Sequence, residues 1–406
     1  LVRVNDMKIT TAWSTDEAPE KAVRESYEAI SKNLDGEAHM LLVFSSAAYD
    51  NKEVIKHLRP LAPNAQLIGG TSCLGVLTKE GFHTVDGRGM GILAIHDPEG
   101  SYGVGIAEVK DDVSCSTKSA IEMAVSKAGR PGELPALVLT SSSPGFEEQQ
   151  IEAIEELLGQ GIPIFGGTTA DNDMSGQWQQ FGNDEVLSGG FALATLFPSC
   201  EVGYAFHSGY EPTDKSGTAT RVEGRRLFEI DGRPAAKVYN EWSGGLISSI
   251  LEKGGSMVPT ATFSPLGDAV SRIEVVDYYR LVYPVAAHAD GSLELFAHIG
   301  EGRKVVLMNG TADSLTTRAS RVVERAIDSA PFSMEECTGA LIYFCTGCML
   351  AIEDRLDETV QSLAETFSHV PFLCTFTLGE QGCFVGGENR HGNLMIAAIV
   401  FGPSEG

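Results

Sequence analysis

The feature that most constrains the fold is a short apolar run that ends in two glycines and a hydroxyl side chain, and that recurs. The first copy spans Leu67–Leu77 and reads Leu-Ile-Gly-Gly-Thr-Ser-Cys-Leu-Gly-Val-Leu. A second copy, Ile162–Ala170, reads Ile-Pro-Ile-Phe-Gly-Gly-Thr-Thr-Ala, and a looser third spans Val370–Gly379. Each apolar run indicates a buried strand, and glycine after it permits a tight turn. The recurrence predicts one structural unit used more than once, with ligand-facing loops at equivalent places.

The segments around these runs follow one order, which predicts a mixed α/β fold. In the first unit the apolar spacing indicates helices from about Asp16 to Ile30 and over Asn51–Arg59, and strands at Met7–Trp13, His39–Phe44, Leu67–Gly70 and Gly89–His96. The order recurs from Ser101 to Phe197 and from about Lys304 to Phe401. We therefore expect mixed sheets flanked by helices, built from roughly three copies of an α-β-α-β-β unit with an insert before the third.

This organisation predicts two domains. The first covers residues 1–205 and holds two repeats, about 1–98 and 101–200. The second covers residues 206–406 and holds the insert, about 206–302, and then the third repeat, about 303–402, which would begin with a strand at Val305–Met308. Because the insert breaks the repeat, it is a candidate for the specific function.

Charge and hydropathy exclude several classes of partner. The formal net charge of the 406 residues is −25, which argues against a broad surface for nucleic acid or anionic membrane, since phosphate binding needs clustered Lys and Arg. The longest uncharged apolar-rich run, Cys337–Ile352, is shorter than a membrane span requires. The N-terminus lacks the basic and apolar regions of a signal peptide, so we expect a cytoplasmic protein.

The cysteines form no recognisable disulfide framework in a chain this long. Cys345-Thr-Gly-Cys348 is a CxxC motif, but a zinc site needs a second pair and a redox site needs a thioredoxin-like setting. Because Cys345 follows the apolar run Leu341–Phe344, buried core thiols are the favoured interpretation.

The glycine segments and the strand ends supply candidate ligand contacts. Backbone N–H groups and hydroxyls could meet a carboxylate or phosphate at Gly69, Gly70, Thr71 and Ser72, and again at Gly166, Gly167 and Thr168. The alternative is a turn that needs a positive φ. Ser142, Cys345 and Thr346 end equivalent strands and precede helices, where a ligand or an ordinary helix cap is expected.

Several segments, in order, resemble the FIST family of sensory domains, which has an N-terminal and a C-terminal half. They are Gly69-Gly-Thr-Ser72, Gly166-Gly-Thr-Thr169, His207-Ser-Gly-Tyr-Glu-Pro212, Glu229-Ile-Asp-Gly-Arg-Pro-Ala-Ala-Lys-Val-Tyr239, Phe344-Cys345, Thr377-Leu-Gly-Glu380 and His391-Gly-Asn393. The resemblance covers nearly the whole chain. It departs at Cys345-Thr-Gly-Cys348, where many relatives carry Arg soon after the cysteine, and at Leu394-Met395, where Thr is common.

The resemblance implies a non-enzymatic module that senses a small molecule, with amino acids as one class, and that signals to a fused effector or to a partner such as a histidine kinase. One branch resembles haem-binding nitric-oxide sensors, so a haem-based gas sensor is a second hypothesis. A hydrolase or transferase that uses a strand-end Ser142 or Cys345 is a third, although the chain has no Gly-x-Ser-x-Gly elbow.

The second half of the chain carries four further candidate ligand contacts: His207, Gly379, Glu380 and Asn393. His207 ends an apolar strand and could ligate haem iron, contact another ligand or be structural. Glu380, beside Gly379, could face an ammonium group. Asn393 lies in a predicted apolar strand, where burial requires a hydrogen-bond partner, with the backbone as the default.

Overall fold

The computed structural model describes residues 7–109, 112–258, 260–273, 276–384 and 386–404. The first unit contains β1 (Lys8–Ser14), α1 (Pro19–Asn33), β2 (Met40–Ser45), α2 (Asn51–Leu58), β3 (Gln66–Thr71), β4 (Val76–Thr78), β5 (Gly81–His83) and β6 (Met90–His96). The second contains β7 (Ser101–Glu108), α3 (Val113–Ala128), β8 (Leu137–Ser142), α4 (Glu147–Leu158), β9 (Ile164–Thr168), β10 (Gln180–Gly182), β11 (Glu185–Leu187) and β12 (Gly190–Phe197).

The third unit begins with β13 (Cys200–His207), and the insert follows that strand. The insert contains β14 (Glu211–Glu223), β15 (Arg226–Ile230), β16 (Arg233–Pro234), α5 (Ala235–Trp242), β17 (Gly255–Ser256), β18 (Leu266–Ile273), β19 (Val276–Val282), β20 (Pro284–Ala287), β21 (Leu293–Leu295) and β22 (Lys304–Asn309). The unit resumes with α6 (Ala312–Asp328), β23 (Gly339–Cys345), α7 (Thr346–Ala351), α8 (Leu356–Phe367), β24 (Phe372–Thr377), β25 (Gly379–Phe384), β26 (Glu388–Gly392) and β27 (Ile396–Ser404).

Three six-stranded sheets share one strand order. They run β1-β6-β2-β3-β10-β11, β7-β12-β8-β9-β25-β26 and β13-β27-β23-β24-β4-β5. In each sheet two neighbouring strands are parallel, an antiparallel strand lies beside them, and a hairpin from another unit completes the other edge. The hairpins are exchanged in a cycle, so each unit supplies part of another unit's sheet. This exchange ties the units together.

The mixed α/β prediction is confirmed, but the third unit begins with a different strand from the one predicted. The strand expected at Val305–Met308 exists as β22, but it pairs with β14 and β18 in the nine-stranded sheet of the insert. The edge strand of the third six-stranded sheet is instead β13, which pairs with β27 along its length. The insert therefore interrupts the third unit after its first strand. The domain division predicted between residues 205 and 206 falls inside β13 and stays a prediction.

The hairpins β4–β5, β10–β11 and β25–β26 were not expected from the sequence. Their strands are three to six residues long, so each carries too few residues to show a period of two clearly. Within the described residues, no helix combines the length and the apolar character that crossing a membrane requires.

Candidate functional site

The paired glycines lie inside strands rather than in turns. Gly69 and Gly70 belong to β3, and Gly166 and Gly167 belong to β9, and none of the four has a positive φ. A Cβ on Gly69 would lie 1.7 Å from the carbonyl oxygen of Val43 on the adjacent strand, and one on Gly166 would lie 2.2 Å from that of Thr140. The positive-φ alternative is therefore wrong. Close approach of two parallel strands explains Gly69 and Gly166, whereas a Cβ on Gly70 or Gly167 would lie 2.4 Å from the Thr169 methyl group or 2.3 Å from that of Thr377.

The ends of these strands meet where the three units join. Ser141 Oγ donates to the carbonyl of Gly69 at 2.6 Å, and the amide of Ala170 donates to the carbonyl of Thr71 at 3.0 Å. Leu378 N donates to the carbonyl of Thr168 at 2.9 Å. Ser72 Oγ accepts from Phe376 N at 2.8 Å. Several of the backbone and hydroxyl groups that were candidate ligand contacts therefore form hydrogen bonds between the units. Ligand contact at these residues stays a prediction.

Ser142 is buried and hydrogen-bonded to an amide. Its Oγ donates to Gln150 Oε1 at 2.6 Å. An amide oxygen cannot remove a proton from a hydroxyl at neutral pH, so this pair is not a nucleophile with its base. Thr168, on the neighbouring strand, donates to Glu147 Oε1 at 2.9 Å. The arrangement gives the hydrolase or transferase hypothesis no support at Ser142.

A second group of candidates converges at the end of the third sheet, around a residue that the sequence analysis missed. Arg318 of α6 is fully buried. Its Nη1 donates to the carbonyls of Ser208 and Leu394, at 2.9 and 2.7 Å, and its guanidinium carbon lies 4.8 Å from the centre of the Phe344 ring. Nε and Nη2 make no hydrogen bond of ordinary length with any described residue. A signal for it existed, because Arg318 interrupts the apolar face of α6 formed by Leu315, Ala319 and Val322.

Glu380 supplies a carboxyl group to the same interior. Its side chain is fully buried, with Oε1 accepting from Thr377 Oγ1 at 2.8 Å and Oε2 from Met395 N at 3.0 Å. Burial raises the pKa of Glu380 well above its usual range, although the two hydrogen bonds and Arg318 oppose that rise. Gly379 opens β25, and a Cβ there would lie 2.4 Å from His391 Cε1.

Asn393 connects this interior to the insert. Its backbone N–H donates to the carbonyl of Leu281 at 3.0 Å, and its Oδ1 accepts from Tyr283 N at 3.3 Å. The backbone partner expected for Asn393 is thus present, but the residue precedes β27 instead of lying in the predicted strand Asn393–Phe401. Thr262 of the insert also reaches the site, since its carbonyl accepts from Tyr210 Oη at 2.9 Å.

The fold shifts the pKa values of the two thiols of the CxxC motif in opposite directions. Cys345 and Cys348 are both buried. Burial raises the pKa of Cys345 well above its usual range. Burial also acts to raise the pKa of Cys348, but the thiol of Cys345, the charge of Arg318 and the hydroxyl of Tyr210 together lower it to about 6. Thr346, next in sequence, is buried and neighbours Cys73. A reactive, low-pKa Cys345 is therefore not what the structure shows.

His207 lies on a groove of about 660 Å³ that is lined also by Gly209, Tyr210, Arg318, Arg321 and Arg325. His207 is exposed, yet enough protein surrounds it that desolvation lowers its pKa, and the nearby arginines lower that pKa further. Its Nδ1 accepts a hydrogen bond from Gly209 N at 3.0 Å. Neutral His207 then carries its proton on Nε2.

The surroundings of His207 do not fit an axial ligand of haem. Nε2 would have to lose its proton to bind iron, which requires Nδ1 to give up the hydrogen bond from Gly209. The groove is also lined by Glu211, Glu324 and Asp328, whereas the faces of a porphyrin need apolar walls. The haem hypothesis gains no support at this residue.

Comparison with known proteins gives matches along most of the chain. The model of the FIST N domain matches residues 39–233, and that of the FIST C domain matches residues 235–383. An uncharacterized protein of Methanocaldococcus jannaschii is 34% identical over 80 residues, which are 20% of this chain and 16% of that protein. The match thus spans about one sixth of that relative's length.

Among solved structures, cyanuric acid hydrolase from A. caulinodans aligns over 97% of this chain and 99% of its own, at 10% identity and a TM-score of 0.33. Phosphoribosylformylglycinamidine synthase II from Thermotoga maritima aligns over 100% of this chain and 73% of its own, at 9% identity and a TM-score of 0.24. At these scores neither likeness bears on function.

Proposed function

Since the chain belongs to the FIST family, whose domains are sensory domains of signal-transduction proteins, we propose that it is a non-enzymatic, cytoplasmic sensor of a small zwitterion of the α-amino acid class. The ligand binds at the end of the third sheet, under the insert. Its carboxylate pairs with Arg318 and its ammonium group with Glu380. Occupancy is passed to a fused effector or to a partner protein such as a histidine kinase.

The single observation that carries this proposal is the state of Arg318. A fully buried guanidinium costs several kcal/mol unless hydrogen bonds and an opposite charge compensate it. Only Nη1 has ordinary hydrogen-bond partners, both of them uncharged carbonyls, and no carboxylate among the described residues forms an ion pair with Arg318. The two remaining nitrogens suit a carboxylate, which guanidinium binds through two parallel hydrogen bonds.

The charges of the site favour a zwitterion over a simple anion. Glu380 is the carboxyl group that interacts electrostatically with Arg318 inside the same buried region. Burial favours its neutral form, and an incoming ammonium group would favour its carboxylate. One guanidinium and one carboxyl group therefore complement a ligand that brings one charge of each sign.

The segment between β13 and β14 covers Arg318, which is fully buried but lies at the floor of the groove. Gly209 has φ of +73°, and a Cβ at this position would lie 2.8 Å from Arg318 Cβ. Glycine thus lets the segment cover Arg318 closely, and Tyr210 lines both sides of it. Displacement of this segment would expose the buried guanidinium of Arg318, which already borders the groove. Because Tyr210 also contacts Thr262 of the insert, ligand binding would reach the insert directly.

A thermal-shift screen of the purified protein against the twenty common α-amino acids tests the proposal. At least one should raise the melting temperature in a saturable way, while its decarboxylated amine should not. Arg318→Lys and Glu380→Gln should weaken binding at least tenfold, whereas Arg321→Lys, on the groove side, should not. The proposal fails if no amino acid binds, or if binding is unchanged in both buried-site variants.

A further inference from the structure

The CxxC thiols stand beside the one charged group that the fold leaves incompletely paired at this site. Cys345 is the last residue of β23, and Cys348 lies in α7. Both side chains are buried, and two residues separate them where the strand passes into the helix. The Cys348 sulfur is 3.4 Å from Tyr210 Oη, and the guanidinium carbon of Arg318 lies 5.8 Å from the centre of the same Tyr210 ring. The two cysteines are therefore close along the chain, and Cys348 and Arg318 both lie against Tyr210.

Cys348 is the acidic group near Arg318 that offsets part of its charge when no ligand is bound. The acidic groups packed around this sulfur are Cys345 on β23, Tyr210 after β13, Tyr283 of the insert and Glu380 on β25. Burial raises the pKa of each of them. Among these groups Cys348 has a lowered pKa, because Cys345, the charge of Arg318 and the hydroxyl of Tyr210 favour its thiolate.

We propose that Cys345 and Cys348 form a redox-active dithiol, and that its oxidation by a hydroperoxide to an intramolecular disulfide removes the anion facing Arg318 and so controls ligand binding. The arrangement has the parts that such a reaction needs: a thiol with a lowered pKa, a resolving thiol three positions away in the chain, and a buried positive charge. A buried pair is reached only by small oxidants such as hydrogen peroxide.

The reaction has two steps and balances. The Cys348 thiolate attacks one peroxide oxygen, the O–O bond breaks, and the leaving hydroxide takes a proton to become water. Cys348 is then a sulfenic acid. Cys345 loses its proton and attacks that sulfur, the S–S bond forms, and the S–O bond breaks to release a second water. The two thiols lose two electrons in total, and one hydrogen peroxide is reduced to two waters.

The effect on binding rests on the proposed function, whereas disulfide formation does not. In the reduced protein the thiolate competes with a ligand carboxylate for Arg318. In the oxidised protein this competitor is absent. Oxidised protein should therefore bind the responsive amino acid at least tenfold more tightly than reduced protein.

Mass spectrometry of the whole chain tests the redox site. Reduced protein is treated with hydrogen peroxide, its free thiols are alkylated, and the tryptic peptide that spans Cys337, Cys345 and Cys348 is sequenced. We expect a product lighter by two hydrogen atoms, with the bond between Cys345 and Cys348, and restored by dithiothreitol. Cys337→Ser should retain it and Cys348→Ser should abolish it, each variant being checked for native circular dichroism.

Arg318 provides a second readout that a merely structural pair of cysteines would not give. Arg318→Lys should keep the thiolate absorbance at 240 nm near neutral pH, while Arg318→Met should lose it and oxidise at least tenfold more slowly. Absence of the Cys345–Cys348 bond under peroxide, or equal oxidation rates in wild type and Arg318→Met, overturns the proposal. A disulfide in a protein that binds no amino acid in either redox state supports the redox site and contradicts the proposed function.

Discussion

Replacing Gly69 by alanine separates a packing role from a ligand-binding role for the recurring glycines. The added Cβ would lie 1.7 Å from the Val43 carbonyl oxygen, while real Cβ atoms essentially never come within 3.0 Å of such a neighbour. The parallel strands β2 and β3 would have to separate by more than about 1 Å, which breaks two or three of their hydrogen bonds. At about 1–3 kcal/mol for each broken hydrogen bond, the expected loss is about 2–9 kcal/mol in the free energy of unfolding.

Urea denaturation followed by circular dichroism measures this loss. The matched control is Gly189→Ala, because a Cβ there meets no atom within 4 Å and the φ of Gly189 is not positive. The control should change stability by less than about 1 kcal/mol. If Gly69→Ala is as stable as the control, the close approach of the strands does not explain this glycine. A direct contact between Gly69 and a ligand then becomes the favoured explanation.

Three further outcomes are expected. Arg225→Met removes the cation between Glu147 and Glu148 and leaves Glu147 buried without its ion-pair partner. The variant should lose about 2 kcal/mol of stability, and its insert should be proteolysed faster. An unchanged cleavage rate would show that this ion pair does not hold the insert in place. Folding lowers the pKa of Cys348 to about 6 from its ordinary value near 9, so the stability that its thiolate contributes is absent below pH 6 and grows as pH rises toward 8.5. Wild type should therefore gain stability over Cys348→Ser by up to about 3 kcal/mol across that range. A difference in stability that does not change with pH would contradict a buried thiolate. Ser142→Ala removes the donor to Gln150 and should cost about 1–2 kcal/mol while leaving the amino acid thermal shift intact; loss of that shift would place Ser142 in the ligand site.

The strands and helices that form the layers could be predicted from the sequence because their apolar periodicity is strong. β2, for example, is buried at every position, and α6 has a clear apolar face. The exchanged hairpins could not be predicted, since their pairing depends on residues far apart in the chain: β4 pairs with β24 and β10 with β3. For the same reason the sequence did not show that β13 belongs to the third sheet and β22 to the insert.

The site was predictable only in part. Glu380, Cys345 and Asn393 were singled out from motifs and do come together, whereas Arg318 was overlooked because a lone arginine in a helix usually faces solvent. The glycine segments had two interpretations, ligand contact and a turn, because a Gly-Gly pair is a common turn signal. The close packing at Gly69, where an added Cβ would lie 1.7 Å from the Val43 carbonyl oxygen, depends on the neighbouring strand and is encoded by no local pattern.

Native mass spectrometry of the protein, first as isolated and then after incubation with a mixture of α-amino acids, tests the central claim most directly. The account predicts one bound amino acid per wild-type chain, and none in Arg318→Met under the same conditions. Retention of the same bound molecule by Arg318→Met, or a wild-type protein that binds haem and no amino acid, would contradict it.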